Sequence, residues 1–216
     1  MKGWKESMFL KKIMLAISIL MLSFLTACSQ NTERHSTQKI KFLPQTDPQW
    51  QSHLSKLQQI KKYSINGQLG YLTAKKRAST AFQWNYQSDT DYQLNLSSTL
   101  NLVSFSLKMT SQGLFLTDND SKTYYINSLS EFLEKQFGVD IPLYQLTTWL
   151  KGQPLQDQNY LVGDNHLLAE FNYQINNTNW RVRYLSYTQD PLPMPKILQL
   201  NNDKQTIKIK ITDWIL

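Results

Sequence analysis

The chain reads as a mainly β (α+β) protein: a curved antiparallel sheet forming an incomplete barrel, with helices covering a concave apolar cavity. Three observations predict this. Apolar and polar residues alternate through about ten short segments between Tyr63 and Ile211, the period of half-buried strands. Turn residues separate most of these segments at hairpin spacing, which favours an antiparallel meander. Segments with helical apolar spacing precede the first strand and interrupt the series once, so helices are available to cover one face of the sheet.

The elements follow in order. Asp47-Pro48 starts a helix, with Asp as N-cap and Pro at the first helical position. Trp50, Leu54, Leu57 and Ile60 then fall on one face, and His53 lies off that stripe. From Tyr63 the period becomes two. Tyr63, Ile65, Gly67, Leu69 and Tyr71 form the first strand, and Thr80, Phe82, Trp84 and Tyr86 the second, after the Ala74-Lys75-Lys76 turn. Tyr92, Leu94 and Leu96 follow the Ser88-Asp89-Thr90 turn. A loop around Ser97 to Asn101 leads to Val103, Phe105, Leu107 and Met109. Gly113 marks a turn before Leu114 and Leu116, and Asp118-Asn119-Asp120 one before Tyr124 and Ile126.

Two helices interrupt the sheet. Ser128-Leu129-Ser130-Glu131 is a capping box, and Gly138 ends the helix it opens. Asp140-Ile141-Pro142 opens the next, with Leu143, Leu146, Trp149 and Leu150 apolar and Gly152 as stop. Strands resume with Phe171, Tyr173 and Ile175, then Trp180, Val182 and Tyr184 after an Asn176-Asn177 turn. Pro191, Pro193 and Pro195 exclude central ladder positions there. Leu198 and Leu200 lead through Asn201-Asn202-Asp203 to Ile207, Ile209 and Ile211, with Lys208 and Lys210 facing out.

The N-terminus has its own signature. Lys11 and Lys12 precede an apolar run from Ile13 to Leu25, which ends in Leu25-Thr26-Ala27-Cys28. A basic region, a short apolar region and small residues before a cut site make a secretory signal peptide. The run is shorter than the ~20 residues a membrane span needs. Leu-Thr-Ala-Cys resembles the bacterial lipobox. That resemblance implies cleavage before Cys28, diacylglycerol on its sulfur and acylation of the new N-terminus. Ser29, rather than Asp, follows the cysteine, which under the enterobacterial sorting rule implies the outer membrane. Translation starting at Met8 instead of Met1 gives the same mature chain. The organisation expected is a signal peptide over 1–27, a flexible tether over 28–46 and one domain over 47–216.

Composition bounds the function. Removal of 1–27 leaves 189 of the 216 residues, ample for one cored domain. The mature part carries 19 basic and 15 acidic side chains. This mild excess suits phospholipid headgroups or anionic partners. It is too scattered for nucleic acid, and Lys75-Lys76-Arg77 reads as a solvated turn. With Cys28, the single cysteine, lipidated, no disulfide or cysteine metal site is available. His35 falls in the tether, His53 on a helix and His166 in a loop. No nucleophile elbow, phosphate-cradling loop or paired carboxylates appear. The chain reads as a non-enzyme without a cofactor.

A family resemblance rests on Trp50-Gln51-Ser52-His53, Gly67-Gln68-Leu69-Gly70-Tyr71, Phe82-Gln83-Trp84 and Tyr92-Gln93-Leu94. It continues through Ile141-Pro142-Leu143 with Leu146, Trp149-Leu150, Gly152 and Pro154, then Trp180, Ile207-Lys208-Ile209-Lys210 and Asp213-Trp214-Ile215. In this order, behind a lipobox, these residues resemble the LolB family over the whole mature domain. The resemblance implies a half-open antiparallel barrel with a helical lid. It implies a lipid-anchored receptor that accepts triacylated lipoproteins from a LolA-like periplasmic carrier and places their acyl chains in the inner leaflet of the outer membrane, working as a monomer. A loop leucine between two strands promotes insertion in that family. The position falls on Leu100, within Ser97-Ser98-Thr99-Leu100-Asn101. The family's usual Pro and Gly are absent there, and Leu102 competes for the role. Taken alone, an exposed leucine is an ordinary surface residue, and Trp50, Trp84, Trp149, Trp180 and Trp214 are ordinary core. Under the resemblance Trp50, Trp84, Trp149 and Trp180 are expected around the acyl-chain cavity. Two rivals stay open at this point: a similar fold carrying another lipid, and a non-catalytic envelope scaffold.

Overall fold

A computed structural model describes residues 41–98, 104–128, 131, 142–156, 158–175 and 177–216. Helix α1 (Pro48–Gln59) is followed by strands β1 (Tyr63–Thr73), β2 (Arg77–Ser88), β3 (Asp91–Ser98), β4 (Ser104–Thr110), β5 (Gly113–Thr117) and β6 (Thr123–Ile126). Helix α2 (Leu143–Trp149) comes next, then β7 (Tyr160–Val162), β8 (Leu168–Ile175), β9 (Thr178–Tyr187), β10 (Pro195–Asn201) and β11 (Gln205–Ile215). All 11 strands form one antiparallel sheet in the order β6-β5-β4-β3-β2-β1-β11-β10-β9-β8-β7. Two meanders are thus joined where the first strand pairs with the last. β6 and β7 remain as edges, so the sheet is not closed into a barrel.

The predicted strands are present, and β7 adds a short one that the sequence reading did not contain. Its apolar triplet Tyr160-Leu161-Val162 is too short to show a period. Leu43 lies beside it, its N–H donating to the Val162 carbonyl at 2.9 Å. The Gln45 side chain donates to the Tyr160 carbonyl at 2.8 Å. The last residues of the segment read as a tether therefore cover the β7 edge, a usual way to blunt an exposed ladder.

Helix α1 starts as its sequence dictates. The Asp47 carboxylate accepts from the Trp50 N–H at 2.9 Å, which satisfies one of the unpaired donors at the helix start. His166 Nδ1 lies 2.8 Å from the same oxygen. The Trp50 cap bond, and after it the His166 contact, hold Asp47 below its ordinary carboxylate pKa. His53 is buried, its ring against that of Trp50, although the heptad-like stripe placed it outside. Burial, reinforced by Lys56, lowers its pKa and keeps it neutral. Of the helix expected over 128–138, the cap is visible: Ser128 Oγ accepts from the Glu131 N–H at 3.3 Å. Its apolar residues lie outside the described residues.

One face of the sheet is apolar and carries both helices. Tyr63, Ile65 and Tyr71 of β1, Phe82 and Trp84 of β2, Leu94 of β3, Trp180, Val182 and Tyr184 of β9 and Ile207, Ile209 and Ile211 of β11 all point into it. The alternate residues, such as Gln83, Lys208 and Lys210, face solvent. A β-bulge interrupts the β1–β11 ladder, because Asn66 pairs with Asp213 and Gly67 with Ile211, leaving Thr212 extra. Bulges bend a strand and increase its twist, and this one sits at the seam between the two meanders.

Candidate functional site

The site is a cavity between α2 and the first meander. From below it is lined by Leu69 of β1, Phe82 and Trp84 of β2, Leu94 and Leu96 of β3 and Ile209 of β11. Register explains why these residues meet. Phe82 pairs with Leu96, Trp84 with Leu94 and Leu69 with Ile209, so adjacent strands present successive apolar rungs on one face. From above, Leu143, Leu146 and Leu150 close it. They are spaced i, i+3 and i+7, one stripe of a helix.

Gly67 shapes one wall. A Cβ there would lie 2.3 Å from the Lys210 carbonyl oxygen and 2.8 Å from the Phe82 ring. Glycine at the bulge therefore lets Phe82 lie close over β1 rather than fill the cavity.

The lid is pinned at one end. The Tyr63 hydroxyl donates to the Thr147 carbonyl at 2.9 Å, and the Tyr184 hydroxyl to the Trp149 carbonyl at 2.7 Å. The last carbonyls of a helix have no partner within it; Tyr63 serves that of Thr147, and Tyr184 joins the Gly152 N–H, 2.9 Å away, on that of Trp149. Burial pushes both phenols well above their ordinary pKa, so they remain donors throughout the physiological range. Just beyond the helix, Lys151 Nζ donates to the Ile60 carbonyl at 3.1 Å. Burial, with Lys61 adding repulsion, lowers its pKa. At the other end Pro142 provides no side-chain cap, Leu143 is half-buried and Tyr144 is 70% exposed.

The four tryptophans expected around the cavity divide. Trp84 lines it. Trp50 packs under α1, its Nε1 donating to the Tyr160 hydroxyl at 3.1 Å. Trp149 is wedged between Phe171 and Tyr173, with ring centroids at 5.2 and 5.3 Å. Trp180 is fully enclosed on β9. Cys28, Leu100 and Leu102 lie outside the described residues. The lining leucines of β1 and β3 carried a usable signal, their alternation, but nothing in the sequence shows which rungs face a void. The tyrosine pins join residues 84 and 35 positions apart and have no local signature.

The cavity has a volume of about 40 Å³, against the roughly 10–15 Å³ of the same measure that one water molecule needs. Chemically it offers apolar contact and nothing that would hold a charged group. Among the described residues no cluster of acidic, histidine or cysteine side chains is placed to bind a metal, and no helix is long and apolar enough to cross a membrane.

A fold of this kind with a lidded apolar cavity can be compared with known proteins. The family model described as outer membrane lipoprotein LolB matches residues 61–214, which takes in all of the sheet but the last residue of β11. The chain belongs to the LolB family. The outer-membrane lipoprotein LolB of Pasteurella multocida (strain Pm70) is 43% identical over 207 residues, covering 96% of this chain and 99% of that protein. The LolB of Aggregatibacter actinomycetemcomitans is 39% identical over 198 residues, 91% and 95% of the two chains. A crystal structure of a LolA superfamily protein from Nitrosomonas europaea superposes with a TM-score of 0.51 at 14% identity, covering 77% of this chain and 92% of that one. At that identity the likeness is one of fold. LolB-family membership and the unclosed antiparallel sheet with its helices match the architecture expected from the sequence.

Proposed function

We propose that this chain is a lipid-anchored receptor of the outer membrane. It takes lipoproteins from a LolA-like periplasmic carrier into the cavity under α2 and releases their acyl chains into the inner leaflet. The observation that carries the reading is the cavity itself. It is wholly apolar in its lining, it is roofed by a helix pinned at one end, and it belongs to a chain with a lipobox at Cys28. Exposing an acyl chain to water costs about 0.8 kcal/mol per CH₂, on the order of 10 kcal/mol per chain. A lipoprotein therefore moves between carrier and membrane only if an apolar surface shields it throughout. Binding is non-covalent and no reaction takes place.

At about 40 Å³ the cavity is narrow for such a chain, and a movement of α2 would widen it. The pins at Thr147 and Trp149 favour a lift of the Pro142 end, which swings Leu143 outward while Leu150 stays seated. The protein acts as a monomer, with Cys28 as its tether. Leu100 is assigned to insertion. It belongs to the segment joining β3 to β4, whose flanking residues Ser97 and Ser104 are paired at one end of the sheet.

The test is transfer. The mature acylated protein in phospholipid vesicles is mixed with a carrier–lipoprotein complex, and the lipoprotein is followed into the vesicle fraction. Transfer is expected with the native chain. Leu100→Glu is expected to keep lipoprotein binding and to lose insertion. Absence of transfer from a competent carrier to the folded native protein overturns the reading.

A further inference from the structure

We infer that the end of the sheet bearing the β1–β2 and β10–β11 turns docks on an anionic phospholipid surface and so sets how the domain stands on its membrane. The inference rests on the lipid anchor at Cys28 and goes beyond it, because the anchor alone leaves orientation open. The 15 residues from Ser29 to Leu43 reach up to about 50 Å at ~3.3–3.6 Å per residue. The longest strand, β2, has 12 residues and measures about 40 Å. Either end of the sheet lies within the tether's reach.

Charge distinguishes the two ends. Lys75 and Lys76 lie in the β1–β2 turn and Arg77 opens β2, and all three are exposed. None has an ion-pair partner among the described residues. The turn is held in shape by Thr73, whose hydroxyl accepts from the N–H of Lys75 at 3.2 Å and of Lys76 at 2.9 Å, while its own N–H donates to the Lys76 carbonyl at 2.8 Å. Thr73 pairs with Gln205, so Lys204 in the β10–β11 turn sits directly beside it, next to one acidic residue, Asp203. Leu72, 41% exposed, adds an apolar side chain at the same rim. Antiparallel connectivity puts the β2–β3, β7–β8 and β9–β10 turns at the opposite end; these carry Asp89, Asp164 and Asp190, and the two lysines that precede β1, Lys61 and Lys62, stand at that end with them, so its charges are mixed. The β5–β6 turn, with Asp118, Asp120 and Lys122, shares the basic end but lies three strands from β2, about 14 Å away.

A rigid turn of three like charges with no internal partner suits an external one of opposite sign. A membrane is favoured over a protein because the lipid anchor proposed at Cys28 keeps the domain as a whole beside a lipid surface. Each Lys or Arg at an anionic surface contributes an attraction worth about a fivefold change in partitioning, screened by salt.

The experiment uses the acylated mature protein in vesicles. Cys28 is acylated and is the single cysteine, so Ala74→Cys and, at the opposite end, Thr90→Cys each accept a fluorophore at one site. Quenching by a headgroup-borne quencher is compared in phosphatidylcholine vesicles with and without phosphatidylglycerol. The expected result is stronger quenching at position 74 than at 90, dependent on phosphatidylglycerol and lost in high salt. With Lys75→Glu, Lys76→Glu and Arg77→Glu combined, the position-74 signal falls to the position-90 level. Equal quenching at both positions, or quenching indifferent to phosphatidylglycerol, overturns the inference. So does a charge-reversed protein that keeps its quenching but no longer receives cargo, which assigns the turn to a protein partner. Failure of the anchor reading looks different, since both labels then leave the vesicles with the protein.

Discussion

The two halves of the sheet are built to different tolerances. Every sheet side chain in the described residues with no exposed surface at all, namely Val162, Trp180, Val182, Leu198, Leu200 and Ile207, belongs to β7–β11. That half is cemented further by contacts of Trp149 with Phe171 and Tyr173 and of Tyr184 with Tyr187. In the first meander Ile65 and Leu107 are buried almost as completely, at 1%, but the residues around the cavity are not. Phe82 and Tyr71 keep 7% exposure, while Leu69 and Leu96 are half-buried, and the cavity lies here. The lid bridges the two. Trp149 anchors it in the tight half, and Leu143 and Leu146 roof the loose one. A close-packed interior resists volume change, so a site that can widen belongs where packing is incomplete, next to a half that supplies the stability.

Removing an anchor of the tight half has the largest effect. Trp149→Ala is expected to lower the unfolding free energy by about 3–5 kcal/mol, read by urea denaturation. Leu143→Ala, on the same helix over the loose half, is expected to cost about 1 kcal/mol, in keeping with its partial burial. Equal losses would erase the contrast between the halves.

Filling the loose half comes next. Leu96→Trp is expected to weaken binding of a fluorescent fatty-acid probe about tenfold, some 1.4 kcal/mol, while the domain stays folded. Undiminished probe binding would place the ligand elsewhere. The pin between the halves has a smaller effect. Tyr184→Phe removes one hydrogen bond worth about 1 kcal/mol and is expected to speed hydrogen exchange at the Leu150 amide about fivefold. Exchange there that is indifferent to both Tyr184→Phe and Tyr63→Phe would mean that the lid is held by apolar contact alone.

The smallest effect concerns the α1 cap at the border of the tight half. Asp47 has a folded-state pKa below its ordinary 3.8. Its contribution to stability is therefore complete above that value and disappears as pH falls through the lower folded value. Alkaline pH leaves it untouched. An NMR titration of the Asp47 carboxyl is expected to give a midpoint below 3.8 in the native protein and a higher one in His166→Ala. An unchanged midpoint would show that the Trp50 N–H alone sets it.

Local rules made much of this legible. Alternation from Tyr63 to Tyr71 or from Ile207 to Ile211 registers which face is buried, because a strand side chain has two choices. Asp47-Pro48 declares a helix start because its capping partner is three residues away. β7 was not legible: three residues show no period, and their pairing depends on Leu43 and Phe171, distant in sequence. His53 was misplaced by one position on the helical wheel, since α1 is embraced by β7 as well as by the sheet face and buries a wider stripe. Among the tryptophans, residue type announced burial in all four cases, but could not say whether the neighbour was another ring or a void.

By itself the sequence determined the strand order apart from β7, the apolar face and the start of α1, and it carries the lipobox-like Leu25-Thr26-Ala27-Cys28. Each depends on residues within a few positions of one another, where steric and hydrogen-bonding preferences act directly. The tertiary structure alone decided that β1 pairs with β11, that the void lies under Leu143, Leu146 and Leu150, and that Tyr63 and Tyr184 hold the lid by one end. Those features are differences in packing between surfaces equally apolar in sequence, and packing exists only once the chain has brought distant residues together.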